Sequence, residues 1–286
     1  MNSPPPRLFD PVRRASRLAR ASRRFEGADF LHRRAAAEMA NSLEVILRGF
    51  PTVVDLSPHP GVFAAGVNDS GASERIGPVR AVAAAPGETA LPIADGSADL
   101  IVSVLGLHWI DDLPGALAQI KRALKPDGLF LGALFGAGTL KELRGALTEA
   151  ELQARGGAQA RISPFADGYD AAALMQRAGF ALPVTDVDRV TVRYPDLFAL
   201  VRDLRAMGET NALAGVIRPL TRDIAARAAA VYAERHAEAD GRIPATFEIV
   251  QLAGWAPHES QQKPLPRGSA KMRLADVLGV KEQTGE

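Results

Sequence analysis

The sequence predicts an α/β protein built on a doubly wound, mostly parallel β-sheet. Short apolar runs alternate with helical patterns from about residue 50 onward. The run at 99–105 is apolar on both faces, as in a strand buried inside a parallel sheet. The run at 52–56 leads into a turn of small residues, which is how the first strand of an open sheet enters a ligand-binding turn.

Further elements are predicted in the middle of the chain. Leucine and isoleucine at helical spacing predict a helix over 113–124. The Lys-Pro-Asp-Gly sequence at 125–128 is typical of a turn, and the apolar run at 129–135 predicts the next strand. Thr139 and Glu142 have the spacing of a capping box, which indicates that another helix begins there.

The second half predicts an antiparallel edge strand and a helical insertion. A short helix is expected at 170–178. Alternating patterns predict strands at 185–194 and 245–255. The residues between these two strands are typical of two helices, at 196–207 and 221–237.

The N-terminal half of the sheet is predicted to be shortened. Three crossovers of about a dozen residues each and two strands of about five sum to about 46 residues. Only 43 residues lie between Asp55 and Asp99. One strand or helix of this half is therefore expected to be shortened or absent.

These patterns divide the chain into four predicted parts. They are a basic helical arm at 1–48, an α/β core at 49–194, a helical insert at 195–240, and the last strand with a C-terminal extension at 241–280.

The N-terminal arm is unusually basic. From Arg7 to Arg24 there are seven arginines and one acid, Asp10. Three interpretations stay open: a mitochondrial presequence, a basic arm that makes peripheral contact with a partner or an anionic membrane, and a solvated amphipathic helix.

Composition limits the function classes. The 286 residues are 47% hydrophobic, enough for a large core, and the formal net charge of +1 does not favour a nucleic-acid partner. Because cysteine is absent, disulfides, thiolate metal sites and cysteine nucleophiles are excluded. The five histidines are scattered, so no metal is expected. No apolar run reaches the roughly 18 residues that span a bilayer.

The turn after the first strand is an altered nucleotide-binding loop. In S-adenosylmethionine (SAM) methyltransferases this turn usually reads Asp-x-Gly-x-Gly-x-Gly. Aligned on Asp55, the glycine positions fall on Ser57, His59 and Gly61, so one glycine of three is kept. Glycine is used there because the backbone needs positive φ and must come close to the ligand. The two prolines in the turn remove two amide donors.

Several segments carry a resemblance to a known family. Residues 91–135, which include Leu-His-Trp-Ile-Asp-Asp-Leu-Pro and Leu-Lys-Pro-Asp-Gly, resemble the second half of a class I SAM methyltransferase, a Rossmann-like fold. Other segments are similar to the mitochondrial respiratory complex I assembly factors of this fold, and more distantly to the carrier-protein methyltransferase of biotin synthesis. These segments are 138–144, 162–165, 177–180, 207–211, 255–261 and 266–270.

The resemblance implies a function. The closer family implies modification of an arginine on an iron–sulfur subunit of complex I, by hydroxylation rather than methyl transfer, early in assembly. The protein would then be in the mitochondrial matrix if eukaryotic and in the cytoplasm if bacterial. The fold implies SAM as the cofactor.

Candidate site residues follow from the turn, the resemblance and the carboxyl ends of the strands. No acid ends a credible second strand, and near the expected adenine position one acid is available. The candidates for the cofactor are Asp55, Ser57, His59, Gly61, Glu88, Leu105 and His108. The candidates for the substrate are Trp109, Glu209, Asn211, His258 and Glu259, with a glutamate pairing with the substrate arginine. No catalytic residue is assigned.

Two functions therefore stay open. In the first, the protein is an enzyme that binds SAM in a modified pocket and alters a protein arginine. In the second, it is an inactive methyltransferase fold that serves as a binding factor in assembly. The altered turn and the short segment before Asp99 favour the second function. The ability of this fold to bind SAM with degenerate loops favours the first.

Overall fold

The computed structural model describes residues 7–83 and 90–262. The strands in these residues are β1 (Val53–Asp55), β2 (Val79–Ala81), β3 (Ala98–Ser103), β4 (Leu124–Phe135), β5 (Ala181–Tyr194) and β6 (Ile243–Trp255). The α-helices in the same residues are α1 (Pro11–Ala21), α2 (Phe30–Glu44), α3 (Val62–Asn68), α4 (Leu113–Ala123), α5 (Lys141–Arg155), α6 (Gly168–Arg177), α7 (Leu197–Met207) and α8 (Arg222–His236). None of these helices has the length and apolar character needed to cross a membrane.

The described strands form one six-stranded sheet in the order β2-β1-β3-β4-β6-β5. β1 pairs in parallel with β2 and β3, and β3 pairs in parallel with β4. β6 runs antiparallel between β4 and β5. The predicted fold class, a mostly parallel sheet with a helical insertion of α7 and α8, is confirmed. The antiparallel strand is β6, which lies second from the edge of the sheet, beside the edge strand β5.

The two faces of the sheet have separate apolar cores. Successive side chains of a strand point to opposite faces. Leu100 and Val102 of β3 therefore pack with α2, α3, α5 and α8, whereas Ile101 packs on the other face with α4 and α6. All six residues of β3 are buried, as the apolar sequence predicted.

The N-terminal half of the sheet is short, as predicted. Between β1 and β3 the described residues contain one strand, β2, and one α-helix, α3. The strand has three residues and the helix has seven. This half brings few polar side chains to the edge where open sheets bind ligands.

The prediction of a separate turn at 125–128 was wrong. These residues belong to β4, which bulges because Leu124 pairs with Ala98 while the next paired residue, Leu129, meets Leu100. Asp127 has a φ of 62° within this bulge. The guanidinium of Arg48 binds its carboxylate at 2.7 Å and stabilises the irregular backbone.

The prediction of a capping box at the start of α5 was also wrong. The residue before the helix is Leu140, with a φ of 54°, and no side chain caps it. Thr139 instead donates its hydroxyl to the carbonyl of Glu248 at 3.1 Å. Glu142 accepts hydrogen bonds from Thr246 on β6. The side chains of Thr139 and Glu142 therefore both bond to β6 and do not cap the helix.

The basic N-terminal helix packs onto the fold. Asp10 accepts the amide of Arg13 and so caps α1, and the Asp10 amide donates to the carbonyl of Ala212 at 2.8 Å. Phe9 forms an isolated bridge with Leu213. α1 therefore contacts the helical insert directly, while the domain boundaries stay a prediction.

Candidate functional site

The turn after β1 is tied to the end of β3. The Asp55 carboxylate accepts the Ser57 amide at 2.8 Å, and the Ser57 hydroxyl accepts the Val104 amide at 2.8 Å. Gly61 has a φ of 97° and directly precedes α3 at the N-cap position. The turn thus keeps the backbone shape for which a glycine is needed at position 61.

Asp55 is a buried carboxyl with spare hydrogen-bonding capacity. Its Oδ2 atom has no hydrogen-bond partner among the described residues. Burial raises the pKa of this carboxyl, while the bonds from Ser57 oppose that shift. The Gly61 amide also favours the charged form of Asp55 and so opposes the rise in pKa. A buried polar atom of this kind indicates a missing partner.

A cavity of about 360 Å³ lies at the carboxyl ends of β1, β2 and β3. We call it the cofactor cavity. The volume is within the range of ligand-binding pockets. Its walls come from the turn after β1, the end of β2, the loop after β3 and one side of α1. Its lining residues include Leu56, Ser57, Pro58, Pro60, Ala81, Val82, Ala83, Gly106, Pro11, Arg14, Ala15, Leu18 and Trp109.

The position and the volume of the cofactor cavity fit an adenosyl ligand. Its polar groups differ from those of a usual SAM site. Val82 and Ala83 stand after β2, where an acid would bind the ribose hydroxyls. Pro58 and Pro60 have no amide to offer. The candidate acid Glu88 lies outside the described residues.

The loop after β3 closes against this turn. Leu105 is buried and has a φ of 49°, which is uncommon for leucine and stores strain. A Cβ on the next residue, Gly106, would lie 3.0 Å from Pro58. The two loops therefore touch through a glycine, and the strain at Leu105 sits beside the cofactor cavity.

His59 binds the turn to neighbouring helices. Its ring stacks on Phe25, with centroids 3.6 Å apart, and its Nε2 pairs with the Met207 carbonyl at 2.9 Å. Burial lowers the pKa of His59, and the Met207 carbonyl opposes this. The side chain is absent from the lining of the cofactor cavity. The structure therefore does not place His59 against the cofactor, because its ring is occupied in packing between α2 and the insert.

Glu209 is the centre of a buried network that we call the polar wall, formed by Arg14, His108, Trp109 and Glu209. His108 Nε2 pairs with Glu209 Oε2 at 2.9 Å, and the Trp109 indole donates to both carboxylate oxygens at 3.1 Å. The Arg14 guanidinium lies 3.4 Å from Oε1. The Phe135 amide donates to His108 Nδ1, so Nε2 is assigned as the donor to Glu209.

The charges of the polar wall stabilise one another. Burial alone would raise the pKa of Glu209, but His108 and Arg14 outweigh it and lower that pKa to about 2. Burial lowers the pKa of Arg14, and the charge of Glu209 opposes that shift. The side chains of Arg14 and Glu209 are 4% and 5% exposed. Paired in this way, both stay charged inside the protein.

A second cavity of about 360 Å³ lies under the helical insert. We call it the insert cavity. Trp109 lines both cavities, and Glu209 lines this one. The polar wall thus separates the two cavities. The interior is mostly apolar, and the rim is basic. The lining includes Phe135, Leu143, Phe165, Leu204 and Phe247 inside and Arg17, Arg161, Arg205 and Arg218 around them.

The other predicted substrate residues are placed differently. Asn211 lines the insert cavity, and its amide donates to the carbonyls of Ala160 and Arg161 at 3.3 and 3.0 Å. His258 and Glu259 are exposed and follow β6, whose last residue pairs with the first part of the parallel β4. They therefore lie at the opposite edge of the sheet, and the structure does not bring them to Glu209.

A basic cleft lies beside the insert cavity, between α1 and α7. It is lined by Arg17, Arg20, Arg23, Arg24, Arg202 and Arg205, with Ala206 and Thr210. None of these six arginines forms an ion pair with a carboxylate in the described part of the chain. We call this surface the arginine cleft.

Sequence reasoning missed Arg14 and His32. Arg14 shares one face of α1 with Leu18 and Ala21, four and seven residues later, and this spacing was the available signal. His32 is fully buried on α2, and neither ring nitrogen has a partner among the described residues. Burial lowers its pKa to about 3, so the ring is neutral. In residues 7–83 and 90–262 no group of three or more His, Asp or Glu side chains is placed to hold a metal ion.

Comparisons with known proteins agree with this geometry. Residues 39–132 match the model of the family described as a methyltransferase domain. The chain is 46% identical over 193 residues to "Arginine-hydroxylase NDUFAF5, mitochondrial" of Danio rerio, which covers 68% of this chain and 60% of that protein. It is 39% identical over 267 residues to the protein of the same name from Homo sapiens, covering 87% and 76%.

Two more distant matches extend the comparison. "Malonyl-[acyl-carrier protein] O-methyltransferase" of Halorhodospira halophila is 38% identical over 195 residues, 68% of this chain and 63% of that protein. Among solved structures, the YcgJ protein of a Bacillus species aligns with a TM-score of 0.50 at 15% identity, covering 79% of this chain and 99% of that one. This structural match supports the fold alone.

Proposed function

The chain belongs to the family of the NDUFAF5 arginine hydroxylases, and we propose that it binds SAM in the cofactor cavity and acts on a protein arginine. It carries a methyltransferase domain on a class I methyltransferase fold. It spans 60% of the Danio rerio relative and 76% of the Homo sapiens relative. Its activity, substrate and partner are therefore part of the proposal.

One observation carries the proposal. The cofactor cavity lies at the carboxyl ends of three parallel strands, and the turn that borders it is held in a defined shape by Asp55 and Ser57. Open α/β sheets bind ligands at this edge. The Oδ2 atom of Asp55 has no partner among the described residues and is free to accept a further hydrogen bond when a ligand is bound.

The residues of this chain have distinct roles in the proposed site. Asp55 and Gly61 shape the turn, and Ser57 ties it to Val104, the residue after β3. We propose that the backbone of Gly106 contacts the ligand and that Leu105 holds the loop after β3 in place. We propose the acid Glu88 for contact with the nucleoside. When bound, SAM supplies an electrophilic methyl group on a sulfonium.

The polar wall is proposed to control what reaches the cofactor. His108 and Trp109 fix the carboxylate of Glu209 between the two cavities, and Asn211 orders the loop of the insert beside it. The insert cavity beside this junction is lined mostly by apolar side chains. We do not retain His258 and Glu259, because they lie at the other edge of the sheet.

The proposed partner is the iron–sulfur subunit of respiratory complex I. The relatives are named as arginine hydroxylases and as mitochondrial. We propose that the chain acts where complex I is assembled, in the mitochondrial matrix or in a bacterial cytoplasm. The arginine cleft is proposed to make peripheral contact with an anionic surface there, since its six arginines lack carboxylate partners among the described residues.

A second candidate is a binding factor without catalysis. It is favoured by the two prolines in the turn, by the apolar residues after β2 and by the polar wall that closes the cofactor cavity from the insert cavity. Such a protein would use the same partner surface.

Rescue of a deletion strain tests the two candidates. The chain with Gly61→Val or Asp55→Ala is expected to leave the arginine of the iron–sulfur subunit unmodified by mass spectrometry, while His258→Ala restores the modification. Restored complex I assembly without modification would support the binding factor. Restored modification by both cavity variants would remove the cofactor cavity from the proposal.

A further inference from the structure

Arg14 is bound by the protein as a ligand would be. Its guanidinium carbon lies 4.0 Å from the centroid of the Trp109 ring. Its Nη1 donates to the Gly208 carbonyl at 2.5 Å, and its Nη2 faces the Glu209 carboxylate at 3.4 Å. An aromatic face, a carboxylate and a carbonyl are the groups that recognise a guanidinium.

The place of this contact is as informative as its chemistry. Arg14 lines the cofactor cavity, Glu209 lines the insert cavity, and Trp109 lines both. The guanidinium therefore lies at the junction of the two cavities. A group held at this junction would be adjacent to a ligand in the cofactor cavity.

Gly208 and Glu209, whose groups contact the guanidinium, are each held in place by the surrounding protein. Gly208 has a φ of 81°, and a Cβ there would lie 3.2 Å from Ala21 and 3.7 Å from Arg14 Nη1. Glycine at this position therefore permits the positive φ and the close packing of α1 beside the Gly208 carbonyl. Glu209 is held from the other side by His108 and Trp109, so its carboxylate keeps its place when Arg14 moves.

We propose that Trp109, Glu209 and the Gly208 carbonyl form the subsite for the substrate arginine, and that Arg14 of α1 occupies it in the described conformation. This rests on the proposed function, which makes a protein arginine the group acted upon. The substrate arginine enters when α1 lifts away. Glu209 is then the residue that selects a guanidinium, and Arg14 is its internal competitor.

The charge near the subsite restricts the substrate sequence. The rim of the insert cavity carries Arg17, Arg205 and Arg218, and the arginine cleft continues beside it. A substrate arginine with basic neighbours would be repelled there, whereas acidic neighbours would pair with the rim. The subsite therefore suits an arginine flanked by acidic residues.

The test uses the full chain and an acetylated, amidated Gly-Asp-Arg-Asp-Gly peptide as the probe. Titration calorimetry is expected to show binding to the wild type and binding about tenfold or more tighter to Arg14→Ala, because the internal competitor is gone. Val12→Ala, at an exposed residue of the same helix that lines neither cavity nor the arginine cleft, is the matched control and should bind like the wild type. The Gly-Asp-Lys-Asp-Gly peptide should bind more weakly than the arginine peptide.

Glu209→Gln should abolish probe binding. If that variant does not fold, Trp109→Phe tests the same subsite by removing the indole donor, with an expected loss of about tenfold. Hydrogen exchange of the wild type should show faster exchange of the 11–21 amides when the probe is saturating. A purely structural Arg14 predicts no such change.

Three results would overturn the proposal. They are no probe binding to Arg14→Ala at millimolar peptide, equal binding of the arginine and lysine peptides, and saturating probe without faster exchange of α1. SAM titrated into the same samples separates this from the proposed function. Loss of SAM binding alone leaves the subsite in place, whereas SAM binding without peptide binding removes only the subsite.

Discussion

The two cavities meet at one wall and are built in different ways. The cofactor cavity comes mainly from consecutive strand ends of the sheet, and its turn carries a readable motif from Asp55 to Gly61. The insert cavity comes from β4, α5, α7 and the loops around them. Each has a volume of about 360 Å³, so size does not distinguish them.

The two cavities differ in the charged side chains that line them. The cofactor cavity is mostly apolar and keeps a glycine-shaped backbone with few polar groups. The insert cavity adds a basic rim and the carboxylate of Glu209. The cofactor cavity therefore offers mainly backbone and apolar groups, whereas the charged side chains lie in the polar wall and around the insert cavity.

Removing the shared carboxylate should have the largest effect. Glu209→Ala leaves the buried Arg14 guanidinium unpaired, which costs about 3–5 kcal/mol of unfolding free energy. Urea denaturation measures this. Glu149→Ala, which breaks a more exposed ion pair with Arg235, is the control and should cost about 1 kcal/mol or less. Equal losses in the two variants would mean that the polar wall adds nothing beyond a surface pair.

Low pH should reduce the free energy of unfolding through His32, which is buried behind the polar wall. The pKa of His32 is lowered to about 3 in the folded protein by burial, against about 6.5 when unfolded. Its contribution is therefore complete above about pH 6.5 and is lost as the pH falls toward 3, with a slope up to about 1.4 kcal/mol per pH unit.

His32→Leu should flatten this slope in urea midpoints measured from pH 7 to pH 4. His59, whose pKa is also lowered mainly by burial, adds a smaller dependence of the same sign and stays in the variant. An unchanged profile would show that His32 is not buried as a neutral ring.

A glycine exchange tests the cofactor cavity by itself. Gly61→Val forces a side chain into a φ of 97°, which should cost about 1–3 kcal/mol and abolish SAM binding. Gly145 lies in the interior of α5 with open space around its Cβ position. Gly145→Ala should stabilise the protein by up to about 1 kcal/mol and leave SAM binding unchanged. Normal SAM affinity in Gly61→Val would show that the turn does not hold the cofactor.

The smallest effect is expected far from both cavities. His258→Ala and Glu259→Ala change exposed side chains at the opposite sheet edge, so stability should change by no more than about 0.5 kcal/mol. SAM and peptide titrations should match the wild type. A loss of either binding would mean that this segment reaches the site in solution.

The fold was predictable because its signals are local and periodic. The buried β3, the alternating β5 and β6, and the helices of the insert all follow from side-chain spacing. The capping box at Thr139 failed because β6 offered its side chain a tertiary partner. Local propensity yields to such pairing when both groups are buried.

The site was only partly predictable because its contacts are distant in the chain. Glu209 was identified from the resemblance, but its partner Arg14 is 195 residues away. The spacing of Arg14 with Leu18 and Ala21 indicates a shared helix face, but nothing in that spacing indicates that the partner is Glu209. For His59 the prediction from its place in the turn was contact with the cofactor. The structure shows that its ring instead packs on Phe25.

Titration calorimetry of the full chain with SAM and S-adenosylhomocysteine tests the central claim most directly. The account predicts saturable binding that Gly61→Val and Asp55→Ala abolish. A ligand at 100 times its dissociation constant adds about 2.7 kcal/mol of stability, so a thermal melt gives an independent check. No binding at millimolar SAM in a folded wild-type protein would contradict the cofactor role of this cavity.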